Sequence, residues 1–199
     1  TSVGRILFNR CLPSDYPYLN YEIKFGDMER LVTGLIQRYG IASTPAILDA
    51  IKKFGFTYAT VSGFSWGMDD LRIPPEKAGW VSQAEQEVAV IHDYYRRGLL
   101  TDRERYDRVV EVWRGVMDKV REALPKALDP TGSVHTMVTS KARGTWLAVN
   151  QMSGMKGLVV NPAGKIIELP VLSSYKEGLN VLEYFISTHG ARKGTADTA

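Results

Sequence analysis

Apolar positions recur most regularly in the middle of the chain, where Val81, Ala84, Val88, Ile91 and Tyr95 follow one another at alternating steps of three and four. Tyr106, Val109, Trp113, Val116 and Val120 repeat the same steps. Such spacing lines each set up on one stripe of a helix and predicts two facing helices over residues 74–124. Between them Gly98 can end the first helix, and Thr101 with Glu104 forms the S/T-x-x-E capping box that starts the second. The expected unit is an antiparallel coiled-coil hairpin whose arms, at ~1.5 Å rise per residue, are about 35 Å long. Pro125 is expected to stop the second arm.

The flanks are less regular. An apolar stretch over residues 3–11 reads as a short strand or a helical turn, and Pro13, Pro17 and Asn20 make the next segment an irregular connection. Leu31, Leu35 and Ile36 recur at helical spacing from Asp27 to a cap at Gly40. A second helix is predicted from Thr44-Pro45 to Phe54-Gly55, with Ile47, Leu48 and Ile51 on one face. Residues 56–67, rich in Thr, Ser, Gly and aromatics, are expected to be extended or looped. Asp129-Pro130-Thr131-Gly132 reads as a turn and Thr145 to Met152 as a short helix. Lys165 to Leu172 is expected to be a strand interrupted by Pro170, paired with Leu158-Val159-Val160 across the Asn161-Pro162-Ala163-Gly164 turn. The last element, from Tyr175, is expected to be helical to about His189, docked through Leu179, Leu182, Phe185 and Ile186, and bent or poorly ordered past Gly190 and Gly194. The fold class is therefore mainly α with minor β, a projecting hairpin on a small mixed helical body.

Composition narrows the function classes. The 25 basic residues exceed the 22 acidic ones by only +3, far from the dense positive stripe of a self-sufficient duplex binder. One cysteine, Cys11, excludes an internal disulfide and a multi-cysteine zinc site; a buried thiol in a reducing compartment is expected. No window approaches the ~18 consecutive apolar residues of a membrane span, and no export signal opens the chain, so a soluble, cytoplasmic protein is expected. It starts at Thr1 without Met and stops at Asp197-Thr198-Ala199 without a terminating signal, so both ends are expected to be cut.

Candidate chemistry is sparse. Asp69-Asp70 is an adjacent carboxylate pair, but a divalent cation wants further oxygen ligands, and the pair reads as a loop cap. His92, His135 and His189 stand apart without ligand spacing, and Ser62, Ser65 and Ser140 lack a nucleophile context. Catalytic and metal residues are therefore none. Polar groups on glycine-punctuated backbone stand out: Lys141 and Arg143 before Gly144, Asn150-Gln151, Lys156-Gly157, and His189 to Gly194. Such backbone admits close approach of a phosphate.

The stretch from Gly178-Leu179-Asn180-Val181-Leu182 through His189-Gly190-Ala191-Arg192-Lys193-Gly194 to Asp197-Thr198-Ala199 resembles the N-terminal half of the bridge helix in the largest, beta-prime subunit of bacterial DNA-dependent RNA polymerase. Upstream, Gly55-Phe56-Thr57-Tyr58, Gly67-Met68-Asp69-Asp70, Ile73-Pro74-Pro75 and Leu100-Thr101-Asp102-Arg103-Glu104 fit that family's pore and funnel in order, so the resemblance covers the whole chain as an internal piece.

The resemblance implies four segments: a pore-type domain (1–72), the funnel hairpin (73–128), a channel-wall segment with short strands (129–174) and the start of the bridge helix (175–199). It implies that Arg96, Arg97, Leu99, Leu100, Thr101, Asp102, Arg103 and Arg105 at the hairpin tip dock Gre-type and DksA-type factors. Arg143, Lys141, Asn150, Gln151 and Lys156 would line the channel for nucleoside triphosphates and backtracked RNA. His189, Gly190, Arg192, Lys193, Gly194, Thr198 and Ala199 would belong to the bridge helix. Lys141 stands where the family usually has Gly, which implies either a different local backbone or an extra charge in the pore. Partners would be the beta, alpha and omega subunits, DNA and RNA, with no membrane. Magnesium would be bound by aspartates outside this chain, so the piece alone would be inactive. Two rival readings are a free-standing helical adaptor that binds protein through the hairpin, and a carboxylate metalloenzyme built on Asp69 and Asp70.

Overall fold

The computed structural model describes residues 1–198, and the chain parts after Ser65 into two units, Thr1–Ser65 and Trp66–Ala199. In the first, the Ser2 hydroxyl accepts the Arg5 N–H at 3.4 Å and starts helix α1 (Val3–Asn9), resolving the strand-or-turn alternative. Asn9 then braces the irregular connection, its amide bonding the Leu19 carbonyl at 2.9 Å and the Leu19 N–H at 2.8 Å. Helix α2 (Phe25–Ser62) is kinked at Gly40, whose φ of 75° lies outside the helical region. The break falls where the sequence placed a cap, and the Thr44 hydroxyl donates to the Gly40 carbonyl at 2.7 Å, satisfying that carbonyl at the kink. Leu12, Leu31 and Leu35 form this unit's core with Ile47, Leu48 and Ile51 around them.

The second arm corrects one expectation. Residues 56–62 are helical rather than looped, and the helix ends at Gly63. Thr60 donates to the Phe56 carbonyl at 2.8 Å and Ser62 to Ala59 at 2.7 Å, so the hydroxyls that suggested a loop are satisfied within the helix. The Phe54 and Tyr58 rings, one turn apart, lie 4.8 Å apart.

In the second unit, helices α3 (Lys77–Arg96) and α4 (Asp102–Ala127) form the predicted antiparallel hairpin. Ala84 and Ile91 pack against Val109, Trp113, Val116 and Val120, and each large apolar side chain so buried contributes about 1.5–3 kcal/mol. The tip is built by local chemistry. Gly98 takes φ 73°, the Leu99 N–H bonds Tyr94 O at 2.9 Å and the Gly98 N–H bonds Tyr95 O at 3.0 Å, closing a Schellman turn. The Thr101 hydroxyl accepts the Glu104 N–H at 3.3 Å while the Glu104 carboxylate accepts the Thr101 N–H at 2.8 Å. Pro125 does not stop α4, which runs on to Ala127. A proline in the last turn forfeits only one helical hydrogen bond, and burial of Leu124 and Leu128 holds the turn closed.

Behind the hairpin, Leu71, Leu124, Leu128, Val134, Val138 and Val149 make a second cluster. It holds helix α5 (Ser133–Thr139), which the sequence pattern did not predict, and α6 (Trp146–Val149), capped by Thr145 and continued as a wide π turn over Asn150–Gly154. The expected strand pair is reduced to two antiparallel bridges, Gly157 to Val171 and Val160 to Ile166. The two segments meet across the expected turn, but between the bridges residues 158–159 on one side oppose 167–170 on the other, Pro170 has no N–H to give, and among the described residues no continuous strand forms. Helix α7 (Val181–Thr198) closes the fold and runs unbroken through Gly190 and Gly194, beyond the expected end near His189. Thr195 and Thr198 bond the carbonyls of Ala191 and Gly194, and Lys193 pairs with Asp197 at 3.0 Å, so local bonds carry the helix where packing is absent. Among the described residues no helix is long and apolar enough to cross a membrane.

Candidate functional site

The hairpin tip presents one apolar side chain to solvent. Leu99 is 65% exposed, whereas Leu100 turns inward against the hairpin core. Arg96, Arg97 and Arg103 are exposed around it; Arg97 pairs with Asp93 at 3.1 Å and Arg103 with Asp107 at 3.9 Å. Ion pairs this exposed contribute little and leave the guanidinium groups available to a partner. Thr101 and Asp102 are exposed, Thr101 as the helix cap.

Arg105 departs from this set. Its side chain is only 11% exposed and faces the body, where it makes a two-point ion pair with Glu168, one arm at 3.0 Å, and bonds Asp102 at 2.8 Å. It also lies 5.4 Å from the centre of the Tyr95 ring. Hydrogen bonding to Glu168 and then Asp102 raises the already high pKa of Arg105 and holds the Glu168 carboxyl below its ordinary range. Arg105 is therefore a brace of the tip rather than part of its exposed rim.

The loop after α5 carries Lys141 and Arg143, both exposed. Lys141 takes φ 58°, the sole positive φ outside glycine among the described residues, and its N–H bonds the Val138 carbonyl at 3.1 Å. It caps α5 in the left-handed conformation that suits glycine. Arg143 stands at the edge of a cavity of about 110 Å³ lined by Leu71, Val138, Val149 and Met152.

Of the other channel candidates, the Asn150 and Lys156 side chains are engaged in the fold and Gln151 contributes its backbone carbonyl. Asn150 is 1% exposed; its Nδ2 donates to the Met155 carbonyl at 3.2 Å and its Oδ1 has no partner. The Gln151 carbonyl accepts the Tyr175 N–H at 3.0 Å. Lys156 is half-buried, donates to the Ser187 hydroxyl of α7 and lies 5.4 Å from the Tyr175 ring centre. Next to it Gly157 is held by contact as well as conformation: at φ 80°, a Cβ there would lie 2.5 Å from Met117 Sδ.

Helix α7 is docked by its first half. Asn180 Oδ1 accepts the Glu183 N–H at 2.8 Å, and buried Glu183 accepts the N–H groups of Ser173 at 2.9 Å and Asn180 at 3.1 Å. Burial pushes the Glu183 carboxyl up, but these donors outweigh it and the net shift is downward. Glu177 is shifted the same way: burial raises it, and Lys77 at 2.5 Å with the Ser174 N–H and hydroxyl brings it below the ordinary range. Ile186 and Ser187 are buried, while Leu182 and Phe185, expected to dock, are 57% and 62% exposed. His189 stacks edge-on against Phe185 at 5.2 Å, and Arg192, Gly194 and Thr198 are exposed. Ala199 lies outside the described residues.

The donor set does not fit a divalent cation. Asp70 accepts the Gly67 N–H at 2.7 Å, and among the described residues no group of three or more His, Cys, Asp or Glu could hold a metal ion. Cys11 is half-buried with its thiol 3.7 Å from the Leu7 carbonyl, and burial pushes its pKa up. Sequence spacing missed Glu168, Tyr175 and Ser187, because their partners lie 63, 19 and 31 positions away and leave no local signal.

No family model matches the chain. Over all 199 residues it is 44% identical to the DNA-directed RNA polymerase subunit beta' of Pelotomaculum thermopropionicum, 45% identical to that of Bifidobacterium animalis subsp. lactis and 43% identical to that of Paenarthrobacter aurescens. It spans 17% of the length of the first and 15% of the other two.

Proposed function

Because this chain corresponds over its whole length to part of the bacterial DNA-directed RNA polymerase beta' subunit, we propose that it serves transcription by shaping access to a catalytic centre whose magnesium is held outside these residues. In this reading the hairpin (73–128) forms the rim of the channel through which nucleoside triphosphates enter and backtracked RNA leaves. Residues 129–174 form its wall, 1–72 the pore-type domain, and α7 the first half of the bridge helix. The partners are the beta, alpha and omega subunits with DNA and RNA, in the cytoplasm at the nucleoid. The chain by itself synthesises no RNA.

The observation that carries the docking role is Leu99, exposed at the end of a helical hairpin between Arg96, Arg97 and Arg103. An apolar anchor inside a charged rim is how binding energy is usually distributed at a protein interface. Arg105 leaves that surface, since its guanidinium is committed to Glu168. Arg143, exposed on its loop, is the residue of the 140–157 stretch best placed to meet a triphosphate.

The test is a pull-down of a Gre-type factor with polymerase carrying this chain. Leu99→Ala with Arg103→Ala should weaken capture while circular dichroism of the chain is unchanged; undiminished capture would end the docking assignment.

A further inference from the structure

The short ribbon of residues 157–171 touches both elements that the proposed function treats separately. Its side chains alternate as in any extended segment. Leu158 and Leu172 pack into the core between α3 and α4, whereas Val159 and Val171 pack with Ile186 of α7. Toward α4, Glu168 holds Arg105 in the first turn of that helix, and the Tyr106 hydroxyl donates to the Ile166 carbonyl at 3.0 Å. Lys165 lies 4.6 Å from the Tyr106 ring centre. Across the ribbon, the Ile167 N–H bonds the Val159 carbonyl at 2.8 Å. Toward α7 a Cβ on Gly190 would lie 3.3 Å from Val159 Cγ1, and Lys156 donates to Ser187 one turn earlier. Beyond Gly190, α7 is exposed except at Lys193, so this is its last anchored turn.

We infer that the ribbon is a strut that couples the hairpin tip to α7, with Arg105–Glu168 as its joint to α4 and Val159 against Gly190 as its joint to α7. A shift of the tip that breaks or moves the Arg105–Glu168 joint is passed from Ile167 through its backbone bond to Val159 and changes how firmly the turn at Ser187 to Gly190 is held. The free half of α7 is then redirected from that turn. Arg105 and Glu168 are positioning residues; neither touches a substrate. The packed and hydrogen-bonded groups supply a contiguous route, and what demonstrates coupling along it is a response at α7 to a change at the tip.

Hydrogen–deuterium exchange on the whole chain tests this, read at residues 186–191. Helix α5 serves as internal reference, because it packs in a separate cluster and contributes nothing to the route. Arg105→Ala and Glu168→Ala should each speed exchange at 186–191 several-fold, with no further gain in the double variant. Arg105→Lys, which keeps a cation between Glu168 and Asp102, should retain most of the slow rate. Arg103→Ala, in the same turn of α4 but exposed, should leave 186–191 unchanged. The strut is overturned if α7 keeps its wild-type rates when Arg105 is removed, if α5 accelerates equally, if Arg105→Lys exchanges as fast as Arg105→Ala, or if Arg103→Ala has the same effect. The strut rests on this chain's own contacts, so its failure would leave the factor-docking reading standing.

Discussion

Lys141 shows what one backbone angle costs. A left-handed residue with a Cβ crowds its own carbonyl, at a cost of roughly 1–2 kcal/mol, partly offset because glycine loses more freedom on folding. Lys141→Gly is therefore expected to be about 0.5–1 kcal/mol more stable than Lys141→Ala in thermal unfolding, since both remove the side chain and only one relieves φ 58°. Equal midpoints would show that the angle is not strained. A glycine here, which the resemblance implies, would take the same angle without that cost. Gly157 adds a close contact to the same kind of angle, since at φ 80° a Cβ would also press on Met117. Gly157→Ala should destabilise the chain by ~2–3 kcal/mol, from the left-handed angle together with overpacking against Met117, measured by denaturant unfolding; a loss near ~1 kcal/mol would mean that Met117 moves aside and only the angle remains.

Among elements, α7 separates intrinsic preference from packing. A Cβ on Gly194 meets open space, so Gly194→Ala should gain nearly the full helix preference of alanine, about 1 kcal/mol. At Gly190 the same change presses on Val159 and should gain less or nothing. Circular dichroism of the two single variants checks this, and equal gains would show that the Val159 contact is slack. The hairpin was legible in the sequence because everything that makes it is local: the three-four spacing, Gly98, and Thr101 with Glu104. Residues 56–62 were not, since Thr, Ser and aromatics suit a strand by composition, and the hydroxyl bonds that let them stay helical show only in three dimensions. Helix α5 has seven residues, too few for a period to declare itself. The tip arginines read as one patch in sequence, yet Arg105 faces inward toward a glutamate 63 positions on, and no pattern of spacing could have separated it from Arg103.

At the scale of the second unit, three glutamates tie elements together: Glu168 reaches α4 and Glu177 reaches Lys77 at the start of α3, both far away in the chain, and Glu183 ties α7 to nearby Ser173. All three carboxyls are shifted below the ordinary glutamate value of ~4.3. A folded-state pKa below the unfolded one contributes stability that is fully present above the unfolded value and is lost as pH falls through the folded one. The unit should keep its melting temperature from neutrality to about pH 5 and lose it progressively below ~4.3, with Glu183→Gln flattening the decline. A melting temperature indifferent to pH between about 5 and 3 would contradict the assignment.

The wide turn at Asn150–Gly154 has a consequence for how this sequence can change over time. Its residues are individually engaged: the Asn150 Nδ2 bonds the Met155 carbonyl, the Gln151 and Met152 carbonyls accept the N–H groups of Tyr175 and Lys176, and the Ser153 hydroxyl bonds the Val149 carbonyl. Deleting a single position there would break at least one of these bonds next to Met155, which is buried in the hairpin core, and Lys156, which holds Ser187. The tip of the ribbon at residues 161–164 is exposed or half-exposed and closes on itself, so insertions there leave both ends in phase. Across descendants of this sequence, length should be held fixed between α6 and Gly157 and drift only at the ribbon's turn.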